Sequence, residues 1–99
     1  MAKCGGMGQA KPAISEVQDI CDLVRVDVET KAGKKFTEFV AIEYSTQVVA
    51  GTNYFVKIHI GNEEYMHVRI FKPLPCHGGN PEVHSFHVGK AKTDSVDYF

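Results

Sequence analysis

The chain has no tryptophan, only three cysteines, and no long run of apolar residues. An odd number of cysteines cannot form a complete internal disulfide framework, and residues 1–6 lack the apolar core of a secretory signal. No stretch of the sequence has the run of about 20 apolar residues that a membrane-spanning helix needs. These absences predict free thiols in a reducing compartment. The expected location is the cytoplasm, with nuclear or released pools left open, and no membrane partner is expected.

The chain also lacks an excess of charge of either sign. Eleven Lys and Arg against twelve Asp and Glu leave a net charge of −1, and the longest basic run is Lys34-Lys35. Long-range attraction to nucleic acid or to an anionic surface is therefore not expected. A chain of 99 residues is expected to form one domain over residues 1–99, with one core and little material for an enclosed active site.

One segment has the period of an amphipathic helix that starts after Pro12. Its apolar positions recur at steps of three and four: Ile14, Val17, Ile20, Cys21, Val24 and Val28. Gly33 supplies a stop, with Lys31 in the last turn, where a cation suits the exposed carbonyl groups. Residues 1–12, rich in Gly, Ala and Lys, are expected to form a flexible or extended arm.

From Phe36 onward the apolar period changes to two, which is typical of strands. The pattern predicts strands over 40–45, 54–60 and 66–70, a weaker strand over 82–88, and a polar tail over 89–99. The first three strands turn these residues inward: Val40, Ile42, Tyr44, Tyr54, Val56, Ile58, Ile60, Met66, Val68 and Ile70. Alignment of the inner rows places Ile58 opposite Val68 and His59 opposite His67.

Such an antiparallel meander, with one polar and one apolar face, needs a cover on the apolar face. The helix is the only element available for that. The predicted fold class is α+β, with a four- to five-stranded antiparallel sheet wrapped around one N-terminal helix. Alternate connections of a meander lie at the same end of the sheet. The loops at 47–51 and 73–80 are therefore predicted neighbours, with the turn at 61–64 at the far end. An arm that enters the helix from the same end would join them.

The loop at 47–51 is unusually apolar for a hairpin tip. Val48, Val49 and Ala50 occupy positions where Asn, Asp, Ser or Gly are usual, and only Gly51 is a typical turn residue. Leu74-Pro75 repeats this character on the other loop. An exposed apolar patch of this kind marks a partner site. The alternative interpretation is that the two valines simply continue a buried strand.

The run from Gln47 to Phe55, QVVAGTNYF, resembles the QxVxG signature of the cystatin family, in the form typical of its stefin branch. The arm glycine Gly5, the strand 66–71, the Leu74-Pro75 loop and the ending 97–99 resemble stefins in matching order. The resemblance covers nearly the whole chain.

This resemblance implies a reversible, tight and non-covalent inhibitor of papain-like cysteine proteases, such as cathepsins L, S, H and B. It implies no catalytic residue, no cofactor and no metal. The protease-contacting residues that it implies are Gly5, Gly6, Gln47, Val48, Val49, Ala50, Gly51, Leu74, Pro75, Cys76 and His77.

Three other classes stay open from the residues themselves. An enzyme would need Cys4, Cys21 or Cys76 beside a histidine as a thiol nucleophile pair. A metal site would need more than two imidazoles, whether His59 with His67 or His84 with His87. A non-inhibitory, self-associating module would straighten the Val48-Val49 hinge and exchange strands between two copies. We expect a monomer, with strand exchange or a Cys4 disulfide as the two routes to a dimer.

Overall fold

A computed structural model describes residues 8–96 and residue 99, apart from the side chain of His77. The elements in chain order are β1 (Lys11–Pro12), α1 (Ser15–Ala32), β2 (Val40–Val49), β3 (Gly51–Gly61), β4 (Glu64–Pro73), a short 3-10 turn (Pro75–His77) and β5 (Glu82–Lys90). The five strands form one antiparallel sheet in the order β1-β2-β3-β4-β5. The predicted α+β meander packed on one helix is confirmed.

Helix α1 turns the predicted apolar face inward. Its buried residues are Val17, Ile20, Cys21, Val24 and Val28. Ile14, the remaining predicted position, is the N-cap residue and is 50% exposed, because it precedes the first helical turn. Gly33 ends the helix in the left-handed conformation at φ 77°, and its N–H donates to the carbonyl groups of Glu29 and Thr30. This is the stop that the sequence predicts.

The core lies between α1 and the inner face of the sheet. The sheet supplies Tyr44, Val56, Ile58, Ile60, Met66, Val68, Ile70 and Val83. Each fully buried aliphatic side chain of this kind stabilises the fold by roughly 1.5–3 kcal/mol. The helix is therefore held by its apolar face rather than by its intrinsic propensity.

The first half of β2 departs from the predicted alternation. A bulge between Ala41 and Glu43 shifts the side-chain order, so Val40 and Ile42 are exposed and Ala41 packs against the core. The prediction that Val40 and Ile42 face inward is wrong, because a bulge adds one residue to a strand and changes which face each side chain occupies. Tyr44, beyond the bulge, is buried as predicted.

The predicted register between β3 and β4 is also wrong. Ile58 pairs with Met66 rather than with Val68, and His59 pairs with Tyr65 rather than with His67. The cause is a tight reversal at Asn62-Glu63, where both residues have positive φ, and loop length sets the register of a hairpin. The shift is two residues along the strand, so both faces keep their predicted side chains.

The outer face of the sheet is not simply polar, as the sequence predicts, but carries a second buried cluster. Phe55, Lys57 and His67 are 0%, 3% and 2% exposed. The ring of Phe99 lies 5.7 Å from that of Phe55 and 6.5 Å from that of His67, and Lys57 Nζ donates to the Lys92 carbonyl. The polar sequence of residues 89–97 does not predict that this segment covers the outer face. The described contacts come from the Lys92 carbonyl group and the Phe99 ring.

His67 in this cluster makes stability depend on pH. Burial lowers the pKa of His67, and the positive charges of Lys90 and Lys57 lower it further. Because the unfolded chain takes up the proton at a higher pH, stability is lost as the pH falls through the ordinary histidine range. We expect the free energy of unfolding to drop between about pH 7.5 and about pH 5.5, and His67→Gln to reduce that drop.

Urea unfolding at the two pH values measures this difference. His84→Gln makes the same substitution at an exposed position of β5 and is the control. An equal effect of the two substitutions would contradict the assignment to His67.

No helix among residues 8–96 is long and apolar enough to cross a membrane.

Candidate functional site

The first apolar segment forms the tip of the β2–β3 hairpin. Gln47, Val48 and Val49 belong to β2, and β3 begins at Gly51, so the chain reverses at Ala50. Val49 pairs directly with Gly51. The segment predicted as a loop is therefore an extension of two paired strands, held by strand hydrogen bonds almost to its end.

Gly51 brings this tip against β4. It has φ 126° and pairs with Pro73. A Cβ atom at this position would lie 2.7 Å from the Lys72 carbonyl oxygen and 2.9 Å from two ring carbons of Phe71. Only a residue without a side chain allows so close an approach. Since Leu74-Pro75 follows Pro73 directly, the two apolar segments lie side by side, as the meander predicts.

The side chains at this end of the sheet are exposed although they are apolar. Val48 is 69% exposed, Val49 43% and Leu74 42%, and Ala50 and Pro75 are also exposed. The alternative in which the two valines continue a buried strand is wrong. Exposed aliphatic groups gathered at one end of a domain form a surface suited to a partner.

Gln47 stands at the base of the tip with its amide held. Asn53, its register partner on β3, donates through Nδ2 to Gln47 Oε1 at 2.8 Å. Asn53 is 3% exposed, and its Oδ1 is buried with no hydrogen-bond partner among the described residues. Sequence analysis missed Asn53, since a polar residue in a strand normally indicates the solvent-facing side.

The second apolar segment is fixed by a short turn. Leu74 is extended at φ −60° and ψ 149°, and the 3-10 turn Pro75–His77 follows it. The turn closes where the Gly78 N–H donates to the Pro75 carbonyl at 3.2 Å. Cys76 is exposed on this turn. The backbone here is therefore preformed rather than an open loop.

The arm runs along the edge of β2 toward the same end. Lys11 pairs with Tyr44, the Gly8 N–H donates to the Thr46 carbonyl at 2.9 Å, and Ser45 Oγ donates to the Gly8 carbonyl. From Lys11 back to Gly8, the arm therefore advances toward the Gln47–Gly51 tip. Gly5 and Gly6, together with Cys4, lie outside the described residues.

Among the described residues, Cys21 is not placed to act as a nucleophile, and the paired histidines that the sequence suggested do not form a metal site. Cys21 is fully buried in the core, and burial raises its pKa to about 12, so it stays protonated at neutral pH. His59 and His67 do not pair across the strands. Residues 8–96 bring together no group of three or more metal-ligating side chains.

Cys21 should therefore resist thiol reagents while the protein is folded. We expect iodoacetamide at neutral pH to alkylate Cys76, which is exposed, and to modify Cys21 only in denaturant. Peptide mass spectrometry after each treatment measures the two sites separately. Labelling of Cys21 at the rate of Cys76 without denaturant would contradict the burial described above.

A single helix held by a five-stranded antiparallel sheet presents exposed apolar residues at one end, a surface suited to a protein partner. The cystatin domain model matches residues 5–93, and the chain belongs to the cystatin family. It is 45% identical to Cystatin-B of Oplegnathus fasciatus over 96 residues, which cover 97% of this chain and 96% of that protein.

Two mammalian relatives give a similar result. Identity is 45% to Cystatin-B of Macaca fuscata fuscata and 43% to that of Homo sapiens, each over 97% of this chain and 98% of the relative. The chain is thus a stefin B-like cystatin, as the sequence motifs predict. It is an inhibitor of cysteine proteases and not an enzyme.

Proposed function

We propose that three segments of this chain together plug the active-site cleft of papain-like cysteine proteases, with cathepsins L, S, H and B as targets. The segments are the arm at Gly5-Gly6, the tip Gln47–Gly51, and the loop Leu74–His77. The observation that carries the proposal is the pairing of Gly51 with Pro73, which brings the exposed Gln47–Gly51 tip and exposed Leu74 to the same end of the sheet.

The physical basis is a rigid apolar surface. Protease–inhibitor contacts bury about 1,600 Å² in total and use preformed loops that avoid the cost of ordering on binding. The tip is held by paired strands, and Leu74 is followed by a closed turn. Because the two strands of the tip are paired with each other, its backbone is not free to bind in the cleft as a substrate does, so the proposed binding is reversible and non-covalent.

The arm contributes to the proposed surface because it runs along the edge of β2 toward the Gln47–Gly51 tip. Gly8 is bonded to Thr46, one residue before Gln47, and β1 follows the β2 edge. In the proposal, Gly5 and Gly6, which lie outside the described residues, contact the protease with no side chain to lift the arm away.

Titration of papain and of a cathepsin L-like enzyme with the full chain tests the proposal. The expected result is a one-to-one loss of activity that recovers on dilution. An unaffected protease at micromolar inhibitor would overturn it. If mass spectrometry showed that the protease loses activity only when it cleaves the inhibitor, the proposal of a non-covalent plug would be overturned.

The protein is proposed to act as a monomer in the cytoplasm. Cys21 and Cys76 are both free thiols, which suits a reducing compartment. Strand exchange would require the Ala50 reversal to straighten and would remove the paired tip. Size-exclusion chromatography with and without reductant separates a monomer from an exchanged dimer and from a Cys4-linked one.

A further inference from the structure

Asn53 occupies a position that its contribution to stability does not explain. It lies on the outer face of β3, between its register partners Gln47 on β2 and Phe71 on β4, and is 3% exposed. Its Nδ2 donates to Gln47 Oε1, but its Oδ1 is buried with no hydrogen-bond partner among the described residues. A buried carbonyl oxygen without a partner destabilises a fold. An apolar side chain of similar size would serve the sheet better.

What Asn53 does provide is a fixed orientation for Gln47. The amide of Gln47 is planar, and its oxygen is directed to Asn53 at 2.8 Å. The nitrogen is on the other branch of the same group, so its N–H donors remain available to a second partner. Gln47 is only partly buried and directly precedes Val48, which is 69% exposed.

Orientation matters here because glutamine is a flexible side chain. A Gln that rotates freely loses rotamer freedom when it binds, and half of its amide orientations present an acceptor where a donor is needed. One hydrogen bond from a buried donor removes both costs before the partner arrives. Asn53 is 3% exposed on β3 between two neighbouring strands, so its side chain has little room to rotate and acts as a fixed reference.

We propose that Asn53 is a positioning residue for inhibition: it holds the Gln47 amide so that its N–H donors face a carbonyl oxygen on the protease. Asn53 itself does not contact the protease. This inference rests on the proposed function, since it needs the Gln47–Gly51 tip to enter the cleft.

The test is Asn53→Leu, which keeps a side chain of similar size, removes the donor, and also removes the unpartnered oxygen. The substitution should then weaken inhibition without lowering stability. The thermal midpoint is expected to stay the same or to rise, while the inhibition constant against papain rises about fivefold to tenfold, the range for one lost hydrogen bond. A merely structural role for Asn53 would make both worse together.

A double-mutant cycle with Gln47→Ala shows whether Asn53 acts through Gln47. Asn53→Leu should weaken inhibition in the wild-type background and have no further effect when Gln47 is already alanine. An equal effect in both backgrounds would overturn the proposal. Asn53→Ala is run beside it, so that a folding defect specific to leucine cannot hide the result.

Asn62→Leu is the matched control at the far end of the sheet. Asn62 has φ 51°, where leucine is strained, so this variant should lower the thermal midpoint and leave the inhibition constant unchanged. If the wild type fails to inhibit papain, the proposed function fails. If the wild type inhibits and Asn53→Leu inhibits equally well, the positioning role alone is overturned.

Discussion

Replacing Gly51 by alanine is expected to weaken inhibition of papain about a hundredfold and to destabilise the fold by about 2–4 kcal/mol. The added Cβ would lie 2.7 Å from the Lys72 carbonyl oxygen and 2.9 Å from the Phe71 ring, and the φ of 126° disfavours any side chain. The tip must then move away from β4. Since that contact brings the tip and the Leu74 segment together, the two halves of the proposed binding surface separate. Inhibition kinetics and urea unfolding measure the two effects.

Gly33→Ala is the control that introduces backbone strain at a positive φ without a steric clash of the new Cβ atom. Gly33 also has a positive φ, 77°, but a Cβ there meets nothing within 4 Å, and it lies at the end of α1. This variant should be less stable than the wild type, but its inhibition constant should be unchanged. Should Gly51→Ala also inhibit like the wild type, the close approach of the tip to β4 has no role in binding.

Much of the fold follows from the sequence because one signal is repeated over many residues. The helix from Ser15 to Ala32 is supported by every three- and four-residue step on its apolar face and by Gly33 at its end. The order of the strands follows from their short connections. Patterns of this length average over single exceptions, so one exposed position such as Ile14 does not change the result.

The wrong predictions concern places where one or two residues change the backbone geometry of a strand or turn. The bulge between Ala41 and Glu43 exposes Val40 and Ile42, and nothing in their side chains distinguishes them from core residues. The Asn62-Glu63 reversal moves the register by two residues. Both depend on backbone angles rather than on hydrophobicity, and a period-two pattern carries no information about them.

The proposed binding surface was predictable in its segments and in their proximity, but not in the side-chain contacts within it. The apolar residues at 48–50 stand out because turns are normally polar, and the meander order places the Leu74 segment beside them. Asn53 could not be recognised from the sequence. Its role depends on burial and on one hydrogen bond across the strands, and a polar residue in an alternating pattern has the appearance of a surface position.

Val48→Asp is expected to abolish tight inhibition while leaving the fold intact. Val48 is 69% exposed, so a carboxylate there remains hydrated in the free protein, and the change in stability should be within about 0.5 kcal/mol. In the complex the same carboxylate would be buried against an apolar cleft without a partner. The cost of stripping its water is expected to raise the inhibition constant about a hundredfold to a thousandfold. Because the loss comes from the bound state, dissociation should become faster, with association little changed.

Val26→Asp makes the same chemical change at a matched level of exposure. Val26 is 72% exposed on the outer side of α1, away from both hairpin tips. If the apolar end of the sheet is the contact surface, this variant inhibits like the wild type and Val48→Asp does not. If both weaken inhibition equally, the effect is one of net charge on the encounter, and salt should reduce it. A salt-independent loss confined to Val48→Asp is the result that only a desolvated contact produces, and it would place the tip inside the protease cleft rather than at its rim.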